Sequence, residues 1–451
     1  MTKMPNYIST TNACKLCKPL GASIAFRGVE GAVPFLHGSQ GCATYMRRYI
    51  ISHFNEPIDI ASSALSEEQA VYGGGPNLKR GLKNVTEKYQ PQLIGIATTC
   101  LTETIGDDVR MLLAEYEKEY GRDHRAPVLV RVATPSYAGT HMEGFHAATL
   151  ALVEQLATSA AKNETCNLFP GLASPADIRW LKETAAAINL DLTILPDYSE
   201  TLDGPALREY PLIPAGGTPV AAIRHMAGAR GSIEFGACLP DRSAGTFLAE
   251  QAGVNNFRLG LPIGLRQTDA FFARLEKLAD SRRPAREIAA RGRLVDSMVD
   301  GHKYLFGQRA LIYGEEDLVV GLTAFLSEIG IQPVLCASGG KSGKLKAAVA
   351  AVSRDLLKEE PLVIDGADFF DIAETAEQLR PDLIVGHSKG YPLARQLAIP
   401  LIRVGFPIHD RLGGQRLLHF GYQGAQELFD KIANALIEKK QNDSTVGYSY
   451  M

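Results

Sequence analysis

Leu93-Ile94-Gly95-Ile96-Ala97 runs directly into Thr98-Thr99-Cys100-Leu101-Thr102-Glu103, a short apolar segment that passes through a turn into a helical one. An apolar run of this length reads as a strand covered on both faces, because it is too short for a buried helix. The same pattern recurs at 32–36, 127–133, 192–195, 309–313, 333–337, 362–365, 383–385 and 401–404. Helical periods lie between these runs. Leu78, Leu82, Val85 and Tyr89 form one stripe, and Ile105, Val109, Leu112 and Tyr116 another. Both read as core faces. Strand and helix alternating in this way predict an α/β fold with parallel sheets covered by helices.

The chain has 451 residues, and at about 150 residues per domain that length predicts three domains. Ser174-Pro175, an N-cap with proline at the first helical position, follows Phe169-Pro170-Gly171 and places the first junction near residue 165. A polar helical stretch over 266–301, interrupted at Pro284, leads to a fresh strand at Arg309 and places the second near 305. The expected division is 1–165, carrying the clustered cysteine motifs, then 166–305, then 306–451 with a C-terminal helix and tail. The polar tail after Lys439, ending Tyr448-Ser449-Tyr450-Met451, is expected to be loosely held.

Hydrophobic residues at 45% and charged residues at 22% exclude a disordered chain. A net charge of -3 provides no broad basic face, which argues against nucleic acid as a partner. The first 20 residues lack a signal-peptide apolar region, and no run of 18 apolar residues occurs, so a cytoplasmic protein without a membrane span is expected. Nucleotide motifs fail on spacing. No Gly-x-Gly-x-x-Gly follows a predicted strand, and Gly73-Gly74-Gly75-Pro76 has the wrong pattern. Gly340-Lys341-Ser342 imitates the end of a phosphate-binding loop, but Leu335 stands where that loop needs glycine. Ser338–Lys344 therefore reads as a loop entering a helix.

Seven cysteines are an odd number for a disulfide framework. Cys166, Cys238 and Cys336 lie in or beside apolar segments and read as buried structural thiols. Cys17, Cys42 and Cys100 differ, because each sits where a predicted strand gives way to a helix or turn. Their contexts are Cys17-Lys18-Pro19-Leu20-Gly21, His37-Gly38-Ser39-Gln40-Gly41-Cys42 and Thr98-Thr99-Cys100-Leu101-Thr102-Glu103, with Thr134-Pro135-Ser136 downstream. Soft thiolates on separate loop ends suit a polynuclear iron–sulfur cluster better than a compact zinc finger. Cys14 with Cys17 forms Cys-x-x-Cys, yet no second pair or nearby histidine completes a zinc knuckle. His37 reads as a group that orients the turn or hydrogen-bonds cluster sulfur rather than as a ligand.

These motifs, extended by Ile105-Gly106-Asp107-Asp108 and with cysteine separations of 25 and 58 residues, resemble the β-type subunits of the nitrogenase component 1 family. Within it the chain looks most like the NifN-type β subunits of the scaffold on which the iron–molybdenum cofactor matures. That closer likeness rests on Cys42–Tyr49, Ile51–Phe54, Ser136–His141 and Val404–Arg411. The resemblance covers nearly the whole chain. It implies three Rossmann-like domains and an α2β2 heterotetramer with a NifE-type α subunit. It further implies docking of the nitrogenase Fe protein, and a cofactor precursor supplied by a NifB-type protein and held by the α subunit. At the interface it implies a 4Fe-4S cluster, with Cys42 as the β-side ligand. The alternative is an 8Fe-7S P-cluster, as in a catalytic β subunit, with Cys17, Cys42, Cys100 and Ser136 in the matching positions. Few residues precede Cys17, whereas catalytic molybdenum β subunits usually carry an N-terminal extension, and this favours the scaffold.

Overall fold

The protein, seen in a computed structural model, is described at residues 14–121, 126–159 and 161–446. The tail after Lys439, expected to be loosely held, is helical as far as Asp443, where Lys439 Nζ meets the Asp443 carboxylate at 2.6 Å, and its last residues, 447–451, lie outside the described ones. Among the described residues thirteen strands make three sheets in which every neighbouring pair is parallel. In the first sheet, β1 (Ala32–His37), β2 (Ala61–Ser62), β3 (Leu93–Thr98) and β4 (Val128–Val132) stand in the order β2-β1-β3-β4. The second contains β5 (Cys166–Phe169), β6 (Leu192–Ile194), β7 (Gly231–Phe235) and β8 (Asn256–Leu259), ordered β6-β5-β7-β8. The third contains β9 (Arg309–Gly314), β10 (Gln332–Ser338), β11 (Leu362–Ile364), β12 (Leu383–Gly386) and β13 (Leu401–Arg403), ordered β11-β10-β9-β12-β13. Each sheet is wound outward from its centre in both directions, which leaves a crevice at the carboxyl ends of its two central strands.

Every candidate strand from the sequence is present within a residue or two at its ends. The strands β2, β5, β7 and β8 were not anticipated, and their residues explain why. β2 has only two residues. β5 and β7 are fully buried yet carry polar side chains, so neither forms an apolar run. Asn167 Nδ2 on β5 donates to the Met226 carbonyl at 3.0 Å and to Ser232 Oγ at 3.1 Å, and Glu234 on β7 accepts from Ser243 Oγ and Asn256 Nδ2, both at 2.8 Å. β8 is an edge strand and is only partly covered.

Seven helices belong to the first sheet's part of the chain: α1 (Lys18–Arg27), α2 (Gln40–Phe54), α3 (Glu67–Tyr72), α4 (Gly75–Tyr89), α5 (Cys100–Ile105), α6 (Val109–Tyr120) and α7 (His141–Leu156). The first stripe buries Leu78, Leu82 and Val85 on α4, as expected. The second stripe is not one helix. Gly106 takes a left-handed conformation that ends α5, and Asp108 caps α6 by accepting the Met111 amide at 3.0 Å, so Ile105 is separated from Val109, Leu112 and Tyr116. Further along, Ser174 caps the helix Pro175–Ala187, and the polar stretch divides into helices Gly264–Ala279 and Ala285–Leu305.

The packing that matters most for the site joins α1 to α7. A Cβ on Gly21 would fall 1.7 Å from the His141 carbonyl oxygen, and one on Gly144 would fall 1.8 Å from that of Lys18. The two backbones are therefore in direct contact, which only glycine permits at these positions. This contact draws the segment before α1 against the chain that follows β4.

Candidate metal centre

Cys42 lies in the first turn of α2, just beyond β1, and Cys100 is the first residue of α5, just beyond β3. His37 and Thr98 end these strands side by side in register, so both thiols stand over the central crevice of the first sheet. Cys17 is the N-cap of α1 and arrives from a different direction. Ser136, in a short turn over Ser136–Ala138 beyond β4, joins it to the others. The Ser136 hydroxyl accepts the Lys18 amide at 3.2 Å, and the Ser136 amide donates to Cys100 Sγ at 3.1 Å. Ser39 Oγ lies 3.4 Å from Cys42 Sγ. Cys17 and Cys42 are partly exposed and Cys100 is open to solvent.

The electrostatics act in two directions, helix N-termini favouring anionic sulfur at all three positions and burial opposing it at Cys17. All three thiols sit at helix N-termini, where unpaired amides and the helix dipole favour negative charge. Burial pushes the Cys17 thiol up, the Ser136 hydrogen bond opposes this, and the nearby sulfurs of Cys42 and Cys100 push it up again. Three thiolates this close repel one another, and soft cations among them remove that repulsion. Among the described residues no three His, Cys, Asp or Glu side chains enclose a single ion. Three sulfur donors on neighbouring turns are soft ligands of the kind that iron–sulfur clusters take.

Residues that sequence reasoning passed over hold this crevice in shape. Thr98 Oγ1 accepts the Thr134 amide at 2.9 Å and donates to Glu103 Oε1 at 2.5 Å. Thr102 Oγ1 donates to the His37 carbonyl at 3.0 Å. His37 has both ring nitrogens engaged, Nδ1 with Ser63 Oγ at 2.9 Å and Nε2 with Asp107 Oδ2 at 3.0 Å, so it orients the turn and has no free nitrogen to offer. Burial lowers its pKa and Asp107 works against that lowering. The available signal was the threonines at and beyond the ends of two neighbouring strands, Thr98-Thr99 and Thr102 for β3 and Thr134 for β4, a residue type that bonds backbone at such turns.

The Cys-x-x-Cys pair diverges. Cys14 turns toward the third sheet, its sulfur 4.0 Å from His387 Nε2, and burial pushes its thiol up to about 12. Cys166 and Cys336 are buried, also with thiols pushed up to about 12. Cys238 is buried too, but its surroundings are not apolar. It lines a cavity of about 270 Å³ with Glu316 and Asp317, whose charges add to burial in pushing its thiol up. At the loop 338–344, Glu316 Oε1 accepts the Ser342 amide at 3.1 Å, so a carboxylate of the chain itself occupies that turn.

Three of the segments with the closer resemblance converge. Phe406 packs on His53 and His141 with ring centroids 4.8 and 5.9 Å apart, and the Ile408 amide donates to His53 Nδ1 at 2.9 Å. His141 reaches Glu315 Oε1 at 2.9 Å and accepts the Leu16 amide at 3.3 Å, fixing the segment that carries Cys17. No described helix is long and apolar enough to cross a membrane.

A family model described as nitrogenase component 1 type oxidoreductase matches residues 17–437. The chain is 33% identical over 435 residues to the nitrogenase molybdenum-iron protein beta chain of Clostridium pasteurianum, covering 96% of this chain and 94% of that one. It is 36% identical to the nitrogenase vanadium-iron protein beta chain of Trichormus variabilis, covering 93% and 92%. The solved structure "Nitrogenase Cp1 at pH 6.5" contains a chain that superposes with a TM-score of 0.94 at 32% identity, covering 98% of this chain and 97% of that one.

Proposed function

The chain belongs to the nitrogenase component 1 type oxidoreductases, and from that premise we propose that it is the β-type subunit of an α2β2 scaffold for iron–molybdenum cofactor assembly. The gathering of Cys17, Cys42 and Cys100, with Ser136 between them, at three helix N-termini on an accessible surface carries the cluster-holding part of this reading, a part that a catalytic β subunit would share. One chain presents an incomplete ligand set there, so an α-type partner completes it. An iron–sulfur cluster supplies one-electron transfer when bound. The chain's part is to hold sulfur ligands at fixed positions and to stabilise negative charge with helix amides. Electrons come from the docked Fe protein and pass to a cofactor precursor, delivered by a NifB-type protein and held by the partner. The scaffold reading is supported by the NifN-like segments that pack around His53, Phe406 and His141.

A second reading, the β subunit of a catalytic nitrogenase, is favoured by the presence of all three thiols together with Ser136, a set sufficient for the β side of an eight-iron cluster. The names of the relatives agree with it, and the similar length of the Clostridium pasteurianum chain removes N-terminal length as an argument. One experiment separates the two. The chain is purified with its α-type partner and supplied with precursor, molybdate, homocitrate, Fe protein and ATP. Activation of a cofactor-deficient nitrogenase, with little ammonia made by the complex itself, is expected of the scaffold. Rapid ammonia formation without such activation establishes the catalytic reading instead.

A further inference from the structure

At the opposite end of α1 from Cys17, Arg27 lines a second cavity of about 350 Å³. The helix rises roughly 15 Å between Cys17 and Arg27, its tenth residue. Arg27 is 4% exposed, and its Nε has no hydrogen-bond partner among the described residues. The one side-chain bond it makes there is long, from Nη1 to the Ala32 carbonyl at 3.5 Å. Burying a guanidinium without a carboxylate or a full set of acceptors is costly, because its hydration is lost and nothing replaces it. Burial lowers its pKa to about 10, so it stays charged at neutral pH.

The acids nearby do not meet this need. Asp59 lies close enough to favour the charge, but its carboxylate accepts Tyr89 Oη at 2.8 Å and faces Arg47 at 3.4 Å. Glu56 accepts the Gly204 amide, and burial together with Asp203 raises its pKa. Glu200, half-buried, is the third carboxylate on the wall. The remaining wall is largely apolar, formed by Ile58 and by the proline-rich loop 204–216. From that loop Leu207, Tyr210 and Leu212 stand 44%, 62% and 56% exposed around the opening. Large apolar side chains left in water around a concave opening mark a binding site, and this volume falls in the range of small-ligand pockets.

We propose that this cavity binds a small monocarboxylic acid of single-ring or similar compact apolar body, its carboxylate paired with Arg27 and its body against Ile58, Leu207 and Tyr210. Arg27 Nε is closed off from the cavity, so the carboxylate is received by the terminal nitrogens, of which Nη1 has one long bond to the Ala32 carbonyl and Nη2 has none among the described residues. A dianionic phosphate is a poorer match, since Arg27 is the sole cation among the lining residues and three carboxylates stand beside it.

The test uses the full chain purified with its α-type partner and 4-fluorobenzoate as the probe, followed by fluorine NMR. The expected result is saturable binding that benzoate displaces and that the uncharged isostere benzyl alcohol does not. Arg27→Met, which removes the charge at similar volume, should weaken binding at least tenfold. Leu207→Trp, which keeps the guanidinium and fills the opening, should do the same while circular dichroism stays unchanged. Absence of saturable binding by the folded wild type, equal displacement by benzyl alcohol, or full affinity in both variants overturns the proposal.

Discussion

Ser136 donates its amide to the Cys100 sulfur at 3.1 Å while its hydroxyl receives the Lys18 amide at 3.2 Å, so one residue beyond β4 fixes two thiol-bearing segments. The Cys100 sulfur takes part in that bracing, whereas Cys42 Sγ is met among the described residues only by Ser39 Oγ at 3.4 Å. Cys42→Ala should therefore abolish most of the cluster iron in the purified complex while the thermal unfolding midpoint of the metal-free chain is nearly unchanged. Cys336→Ala is the control. It should keep its iron and lose about 1 kcal/mol from a small cavity in β10. Normal iron and an unaltered EPR signal in Cys42→Ala would falsify the assignment.

Thiol reactivity gives a second check. In the iron-free chain, alkylation at pH 8 should modify Cys100 first, because it is exposed and sits at a helix N-terminus. Cys14, Cys166 and Cys336, with thiols pushed up to about 12, should remain unmodified. Reconstitution with iron and sulfide should protect Cys100. Mass spectrometry reads each site, and fast labelling of Cys336 with slow labelling of Cys100 would contradict the burial pattern.

Gly21→Ala should be among the most damaging single changes away from the thiols. The added methyl has no space, since its nearest neighbour, at 1.7 Å, is a backbone carbonyl that cannot rotate aside. Separating α1 from α7 should cost about 3 kcal/mol and should also reduce iron binding by moving Cys17 away from Ser136. A chemical-denaturation midpoint close to wild type would show that the helices separate more easily than the packing implies.

Acid sensitivity has an identifiable source in His53. Burial lowers its pKa to about 3, and its Nδ1 must stay unprotonated to accept the Ile408 amide. The unfolded chain binds this proton near pH 6.5, so between that pH and about 3 the unfolded state holds one proton more. Stability is fully present above 6.5 and falls by about 1.4 kcal/mol per pH unit below it. His53→Gln should make the slope of unfolding free energy between pH 6 and pH 4 shallower by that amount. An unchanged slope would mean that His53 takes up its proton in the folded state.

Much of this site was legible early because it is local. An apolar run ending at Ala97 and a turn through Thr99 fix Cys100 at the start of α5 whatever the rest of the chain does, and the same holds for Cys42 after β1. The Ile105 stripe misled because spacing alone hides a break, and Gly106 with Asp108 ends one helix and begins another inside an unbroken period. β5 and β7 were missed because hydrogen bonds between distant residues, Asn167 with Ser232 and Glu234 with Asn256, allow polar side chains in a buried sheet.

By itself the sequence determined the alternation of strands and helices, the turns that carry three thiols, and the order in which they occur. Those follow from backbone preference and periodicity, which act over a few residues. Tertiary structure alone decided that Cys14 faces His387 while Cys17 faces Ser136, and that His37 has no free nitrogen. It also decided that Arg27 is buried beside an apolar cavity with its Nε unmatched. Each of these depends on which distant segment is packed against the residue, and burial and partner identity are properties of the whole fold rather than of any stretch of chain.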